Sequence, residues 1–195
     1  MEAEKTMSLS VLIFDVDGTL AETEEMHRRA FNLAFAESGL AWNWSHARYL
    51  ELLGVTGGKE RIRHFAAQSD AGFLHAGGAD DRIATLHRSK TAHYVRLVGE
   101  GDIGLRPGVA RLIREARESG LRLAIATTTS RANVINLLTA TLGAEGPGLF
   151  DAISASDSAE NKKPSPDVYF HVLKALDCAA DHCIAFEDSQ NGLRS

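Results

Sequence analysis

Two carboxylates separated by one residue follow a short apolar segment near the start of the chain. Asp15 and Asp17 come directly after Val11–Phe14, a segment rich in branched apolar residues and long enough only for a buried strand. Because side chains alternate between the two faces of a strand, the spacing predicts that both carboxylates point to the same side, and Gly18 permits a tight turn after them. Two like charges so close together repel, so one carboxyl group stays protonated unless a cation or ligand compensates the pair.

The pair of carboxylates therefore indicates a metal site at the exit of the first strand. Carboxylate oxygens are hard ligands that suit Mg²⁺, which keeps part of its water shell and bridges protein carboxylates to a substrate phosphate. The alternative is a solvated turn at a strand end, because a short Asp-x-Asp-Gly-Thr motif also occurs without a metal.

The second half of the chain predicts the elements that position these groups. The pattern reads as a helix over 109–119, a strand over 121–126, a helix over 132–142, a short strand over 152–155, a helix over 166–176 and a strand over 183–186. Such alternation implies a parallel sheet covered on both faces, in which ligands bind outside the carboxyl ends of the strands. The residues that follow the predicted strands are Asp15, Asp17, Thr127, Glu187 and Asp188. Acidic and hydroxyl groups are thus expected to converge on one edge.

The residues between the first two strands are predicted to be mainly helical. Apolar residues recur at helical spacing from Glu22 to Gly39 and over 48–53, 59–68 and 80–98, and glycine pairs separate these segments. The predicted fold class is α/β, with a Rossmann-like parallel-sheet core formed by residues 1–22 and 102–195 and an inserted α-helical domain formed by residues 23–101.

Four separated motifs resemble those of the haloacid dehalogenase superfamily of phosphotransferases. They are Asp15-Val16-Asp17-Gly18-Thr19, Thr127 at a strand end, Lys163 in Lys163-Pro164-Ser165-Pro166-Asp167, and Glu187-Asp188-Ser189-Gln190-Asn191-Gly192. The resemblance implies that Asp15 attacks phosphorus to form an aspartyl phosphate and that Asp17 acts as acid and base. It also implies that Thr127 and Lys163 stabilise the phosphoryl oxygens. On position alone, Thr127 could instead make local hydrogen bonds, and Lys162 is a neighbouring rival to Lys163.

The same resemblance implies a ligand set and a role for the helical insertion. Mg²⁺ would be held by Asp15, Asp188 and the backbone carbonyl of Asp17, and Glu187 would be either a ligand or a neighbour that orients one. The insertion resembles a cap that closes over the site, excludes water and selects the substrate. The candidate substrate contacts are Glu22, Thr23, His27, Lys59, Arg61 and Thr128. Lys59 and Arg61 could bind a second anionic group, although charges on a helix face are usually solvated.

Within the superfamily, an acid at Asp17 disfavours dehalogenases and phosphonate-cleaving members. The closer resemblance is to the subgroup that contains beta-phosphoglucomutase and the CbbY-type phosphatases, on the segments 14–25, 56–62 and 125–130. It implies hydrolysis of a sugar phosphate or bisphosphate such as xylulose 1,5-bisphosphate. The alternatives are a phosphomutase that keeps the phosphoryl group for transfer, and a non-enzymatic phosphate-sensing or protein-binding member of the same fold.

Composition limits the partners that the chain can have. The 195 residues carry a formal net charge of -5, so no basic field favours nucleic acid, and the expected partner is a small phosphorylated metabolite held by local cations. We expect no membrane segment, a cytoplasmic location and a monomer. The spacing of Cys178 and Cys183 fits neither a redox motif nor a zinc site, so both are predicted to be free thiols that pack in the core.

The chain ends a few residues after the fourth motif, whereas members of the superfamily continue through another helix and usually a further strand. We therefore expect a core that is truncated at its C-terminus, with lower stability or less ordered metal binding than a longer chain would have.

Overall fold

The structure is a computed structural model, and it describes residues 8–75, 77–101 and 103–195. The chain forms two compact units: one comprises the residues up to Glu22 together with Gly104–Ser195, and the other comprises Thr23–Ile103. We call them the core unit and the helical unit. The predicted return of the chain to the core at Asp102 falls on a residue outside the described ranges.

A four-stranded parallel sheet forms the centre of the core unit, in the order β3-β2-β1-β4. Its strands are β1 (Val11–Phe14), β2 (Arg122–Ala126), β3 (Ala152–Ser154) and β4 (Cys183–Phe186). In β1, Phe14 pairs with Ile125 of β2 on one side and with Phe186 of β4 on the other, so the ends of the three strands lie level. The predicted Rossmann-like parallel α/β core is confirmed.

Helices connect the strands and bury them. They are α6 (Val109–Glu118), α7 (Arg131–Leu142), α8 (Asp167–Leu176) and the short α9 (Gln190–Leu193). All four residues of β1 are buried, as its continuous apolar sequence requires in a parallel sheet. Val168, Val172 and Leu176 of α8 pack on alternate residues of β1 and β2, including Val11 and Ala124. This packing fixes α8 against the sheet, directly after the segment that carries Lys163.

The helical unit has its own core. It contains α1 (Glu24–Glu37), α2 (His46–Leu52), α3 (Gly58–Ser69), α4 (Ala71–His75) and α5 (Ala79–Gly99). Aromatic residues dominate the core, where Trp44 contacts the rings of Phe31, Phe35 and Tyr49. Since aromatic side chains bury large areas, this cluster allows a small unit to form an interior without a sheet.

Several element ends differ from the sequence-based predictions by one or two residues. The largest difference is at α4, which the glycine and polar residues around it did not indicate, whereas β1 has the predicted bounds. Cys178 and Cys183 are free and half-buried against the α8 cluster, with their sulfur atoms 3.8 Å apart. None of the described helices is long and apolar enough to cross a membrane.

Candidate active site

The turn after β1 is held by its own backbone and by β4. The amide of Asp15 donates to the carbonyl of Phe186 at 3.0 Å, and the amide of Leu20 donates to the carbonyl of Val16 at 2.9 Å. Gly18 has φ of +82°, and a Cβ atom at this position would overlap the carboxylate of Asp188. Only glycine therefore fits here. Both predicted carboxylates, Asp15 and Asp17, lie after the last residue of β1, as the sequence predicts.

Lys163 joins two of the predicted motifs through its ammonium group. Its Nζ donates to Oδ1 of Asp15 at 2.9 Å, to the carbonyl oxygen of Ala126 at 2.8 Å and to Oε1 of Glu187. The Lys163 side chain is 4% exposed, and those of Asp15 and Glu187 are 11% and 3% exposed. Each of the three ammonium protons thus has a buried acceptor, and one cation is shared by two carboxylates.

Three carboxylates at this edge of the sheet could hold a metal ion. Asp15, Glu187 and Asp188 each offer one oxygen, and these oxygens lie within 4.8 Å of one another. Among the described residues, Oε2 of Glu187 accepts no hydrogen bond although it is buried. A buried carboxylate oxygen without a donor is costly, so this atom fits a site that a hard cation completes. Asp17 does not belong to this group of three carboxylates.

The carboxylates interact strongly with one another. Burial raises the pKa of Asp15 to about 7; Lys163 opposes this shift, and the charges of Glu187 and Asp17 add to it. Burial also raises the pKa of Asp188, with smaller contributions from Glu187 and Asp17. Lys163 alone therefore does not keep the pKa of Asp15 in its ordinary range, and a bound cation would lower that pKa.

Thr127 and Thr128 follow β2 beside the carboxylates of β1. The amide of Thr127 donates to the carbonyl of Ser154 at 3.0 Å, and Oγ1 of Thr127 accepts from the amide of Thr129 at 3.2 Å. The Thr127 side chain is buried, and Thr128 is half-buried. Because a hydroxyl group that accepts one hydrogen bond can still donate its proton, Thr127 can contact an additional oxygen at this edge.

Glu22 lies in the core unit and is exposed. Nη1 of Arg106 donates to a carboxylate oxygen of Glu22 and to the carbonyl of Gly18 at 2.7 Å. Arg106 had not been predicted to have a functional role, because its sequence position before a helix gives no indication of this contact. It links the turn after β1 to the segment that precedes α6.

In the helical unit, His27 is paired with a lysine that the sequence analysis missed. Nζ of Lys90 lies 2.8 Å from Nδ1 of His27, and both residues are buried. The His27 ring stacks on Tyr94 with the ring centres 4.1 Å apart. Thr23, also buried, precedes α1, and its carbonyl accepts from the amide of His27 at 2.9 Å. α1 and α5 pack together and create this group.

The two other predicted contacts of the helical unit differ in environment. Arg61 donates to the carbonyls of Leu52 and Val55 and to the hydroxyl of Tyr49, at 3.0, 3.2 and 3.0 Å. Lys59 is exposed and lines a cavity of about 380 Å³ together with the carboxylates of Asp80 and Asp81 and other residues. Arg61 thus ties segments of the helical unit together, whereas Lys59 is a surface charge.

A parallel sheet whose strand ends bring together carboxylates and a buried lysine is typical of an α/β enzyme that transfers phosphoryl groups. A sequence model of the family described as haloacid dehalogenase-like hydrolase matches residues 9–195. The chain belongs to the haloacid dehalogenase-like hydrolase family. It is an enzyme, a phosphatase of that family.

Two relatives and one solved structure illustrate the similarity. The protein CbbY of Rhodobacter capsulatus is 52% identical over 189 residues, which are 97% of this chain and 81% of the relative. The protein CbbY of Cereibacter sphaeroides is 50% identical, over 96% of this chain and 79% of the relative. The crystal structure of CbbY from Rhodobacter sphaeroides in complex with phosphate has a TM-score of 0.86 at 49% identity, covering 95% of this chain and 80% of that one. The similarity to the CbbY-type subgroup is confirmed.

Proposed function

We propose that the protein is a Mg²⁺-dependent phosphatase that hydrolyses a small sugar bisphosphate through an aspartyl phosphate on Asp15. The observation that carries the proposal is the hydrogen bond of 2.9 Å between Lys163 Nζ and Asp15 Oδ1, beside a group of three carboxylates of which Asp15 is buried, Glu187 half-buried and Asp188 exposed. This arrangement supplies a nucleophile, a cation for the phosphoryl oxygens and ligands for a metal in one place.

In this proposal, Asp15 attacks phosphorus and the bond from phosphorus to the sugar oxygen breaks. Asp17 protonates the departing oxygen and afterwards takes a proton from the water that releases phosphate from Asp15. Lys163 and the Thr127 hydroxyl hold the non-bridging oxygens during both steps. The location of Asp17 in the half-exposed turn after β1 suits a group that must exchange protons with substrate and water.

Asp15, Glu187 and Asp188, together with the backbone carbonyl of Asp17, would hold Mg²⁺. When bound, the ion supplies charge that offsets the developing negative charge on the phosphoryl group. The raised pKa of Asp15, about 7, supports the assignment, because burial and the charges of the neighbouring carboxylates disfavour its ionised form, which an added cation would stabilise. The buried oxygen Oε2 of Glu187 supports it as well.

The substrate class rests on similarity and on the cationic groups of the two units. A mutant of CbbY from Rhodobacter sphaeroides, 49% identical to this chain, was solved in complex with xylulose-(1,5)bisphosphate. We assign contacts with the sugar and its second phosphate to Thr128 and Glu22 in the core unit and to Thr23, His27, Lys59 and Arg61 in the helical unit. Lys90 would orient the His27 ring.

The phosphomutase alternative gains no support from structure. The crystal structure of beta-phosphoglucomutase from Clostridium difficile has a TM-score of 0.77 but only 21% identity, which reflects the shared fold alone.

The decisive experiment is a phosphatase screen over sugar mono- and bisphosphates, with xylulose 1,5-bisphosphate included, in Mg²⁺ and in EDTA. We expect phosphate release that needs Mg²⁺, that needs no bisphosphate primer and that Asp15→Asn abolishes. Asp177→Asn is a matched control, because Asp177 is exposed in the core unit with φ of +46°, a conformation that asparagine also adopts. Activity retained in Asp15→Asn, or unaffected by EDTA, would contradict the proposal.

A further inference from the structure

Tyr169 contacts the buried ion pair from the first turn of α8. Its hydroxyl donates to Oε1 of Glu187 at 2.5 Å, and the ring centre lies 5.3 Å from Nζ of Lys163. The residue is half-buried. Oε1 of Glu187 therefore has two donors, the Lys163 ammonium and the Tyr169 hydroxyl.

Lys163 has no proton to spare in this arrangement. Its three acceptors are Oδ1 of Asp15, Oε1 of Glu187 and the carbonyl of Ala126. An ammonium group has three protons, so Lys163 can bind a phosphoryl oxygen only by giving up one of these bonds. The free-energy cost of this exchange depends on whether the acceptor that Lys163 releases still has another hydrogen-bond donor.

Glu187 is the acceptor that loses least. If Lys163 leaves Oε1, the Tyr169 hydroxyl still donates to that oxygen, so the buried carboxylate oxygen is not left without a donor. The Ala126 carbonyl and the Asp15 oxygen have no comparable second donor among the contacts described at these atoms. The Tyr169 ring stays beside the ammonium and continues to favour its charge.

We propose that Tyr169 is a positioning residue for phosphoryl binding: its hydroxyl holds Oε1 of Glu187, which frees one Lys163 proton for the phosphoryl group. The inference rests on the proposed function, since it assumes that the phosphoryl group binds beside Lys163. It assigns a role to a side chain that the four motifs do not include.

Tyr169→Phe tests the inference because it keeps the ring and removes the hydroxyl. In the variant, Oε1 of Glu187 depends on Lys163 alone, so the exchange leaves a buried carboxylate oxygen unpaired. We expect the affinity for inorganic phosphate, measured by isothermal titration calorimetry at saturating Mg²⁺, to fall about tenfold, the size of loss expected for one hydrogen bond to a charged group. The value of kcat/KM for the best substrate of the screen should fall by a similar factor.

Phe170→Leu is the matched control. Phe170 is the next residue of α8 and is 60% exposed, so its replacement perturbs the helix without touching the ion pair. Phosphate affinity should be unchanged in this variant. If Tyr169 has only a structural role, phosphate affinity in Tyr169→Phe will equal that of the wild type whether or not the melting temperature falls, and this result would overturn the inference.

A double-mutant cycle with Lys163→Met separates an action through the lysine from a direct effect. If Tyr169 acts through Lys163, removing its hydroxyl in the Lys163→Met background should change phosphate affinity less than twofold. An undiminished tenfold loss there would contradict the mechanism; if Lys163→Met fails to fold, the single variant still decides. Failure of the proposed function is a different result: a wild type that binds phosphate in the Tyr169-dependent way but hydrolyses no substrate of the screen.

Discussion

The two units of the molecule each bury a lysine, and they surround it differently. In the core unit, Lys163 contacts two carboxylates and a carbonyl oxygen. In the helical unit, Nζ of Lys90 lies 2.8 Å from Nδ1 of His27 and faces the rings of Phe31 and Tyr94 at 5.0 and 5.2 Å from their centres. One lysine balances charge, and the other orients a ring.

The difference follows from what each environment needs. In the proposed mechanism the carboxylates of the core serve as nucleophile and metal ligands, so a fixed cation must offset their repulsion. An ammonium group only donates, so a charged Lys90 would donate to Nδ1 of a neutral His27 ring, whose own proton would then be on Nε2. The rings of Phe31 and Tyr94 attract the Lys90 ammonium group only weakly compared with the carboxylates that surround Lys163. Removing the two lysines should therefore have unequal consequences.

The largest expected effect is the loss of stability in Lys163→Met. This change leaves Asp15 and Glu187 buried without their shared cation, and we expect the free energy of unfolding to fall by about 3–5 kcal/mol. Lys90→Met leaves one imidazole nitrogen without its donor, which should cost about 1–2 kcal/mol. Urea denaturation of both variants in EDTA measures the two values. Equal losses would show that the two lysines do not differ in the way that the contacts indicate.

The core site could be predicted from the sequence because topology brings its parts together. Asp15, Thr127 and Glu187 follow strands of one parallel sheet, and the carboxyl ends of such strands meet at one edge whatever the intervening loops do. The apolar patterns alone predict the residues at which β1 and β2 end. The end of β1 at Phe14 agrees with the prediction, whereas the apolar pattern does not indicate the hydrogen bonds of the turn that follows.

The contact between His27 and Lys90 could not be predicted by any such rule. The two residues are 63 positions apart, and their contact depends on how α1 packs on α5, which in turn depends on side-chain shapes in the aromatic core. Tyr169 was missed for another reason: an aromatic residue in an amphipathic helix has the sequence pattern of a core residue, and only the position of its hydroxyl distinguishes it.

A second prediction asks whether Lys163 fully compensates the carboxylates. The pKa of Asp15 is about 7 in the folded chain and 3.8 as the ordinary value. A carboxyl group whose pKa is raised by folding stabilises the folded state at pH values below its ordinary pKa. This stabilisation is lost as the pH rises through the pKa of the folded state. The asparagine side chain of the Asp15→Asn variant has no proton to gain or lose in this pH range. The stability of Asp15→Asn relative to the wild type in EDTA should therefore increase by about 2.5 kcal/mol between pH 5 and pH 8.

Thermal or urea unfolding at several pH values gives this difference directly. Asp177→Asn, at an exposed position, should show a difference that does not change over the same range. If the difference in free energy of unfolding between Asp15→Asn and the wild type does not change with pH, Lys163 alone keeps Asp15 ionised. Lys163 would then balance the carboxylates more completely than the pKa of Asp15 indicates, and it would differ more strongly from Lys90.

The smallest expected effect separates structure from recognition among the cations of the helical unit. Arg61 donates to Leu52, Val55 and Tyr49, so Arg61→Met should destabilise the protein by about 1 kcal/mol. Arg63→Met is the matched control: Arg63 pairs with Asp80 on the surface, where such pairs contribute between about 0 and 1 kcal/mol. If Arg61 also binds the second phosphate, Arg61→Met should raise KM for a bisphosphate more than for a monophosphate. A loss of stability with an unchanged ratio of the two KM values would leave Arg61 a purely structural residue, and binding of the second phosphate would then have to come from other cations of the chain.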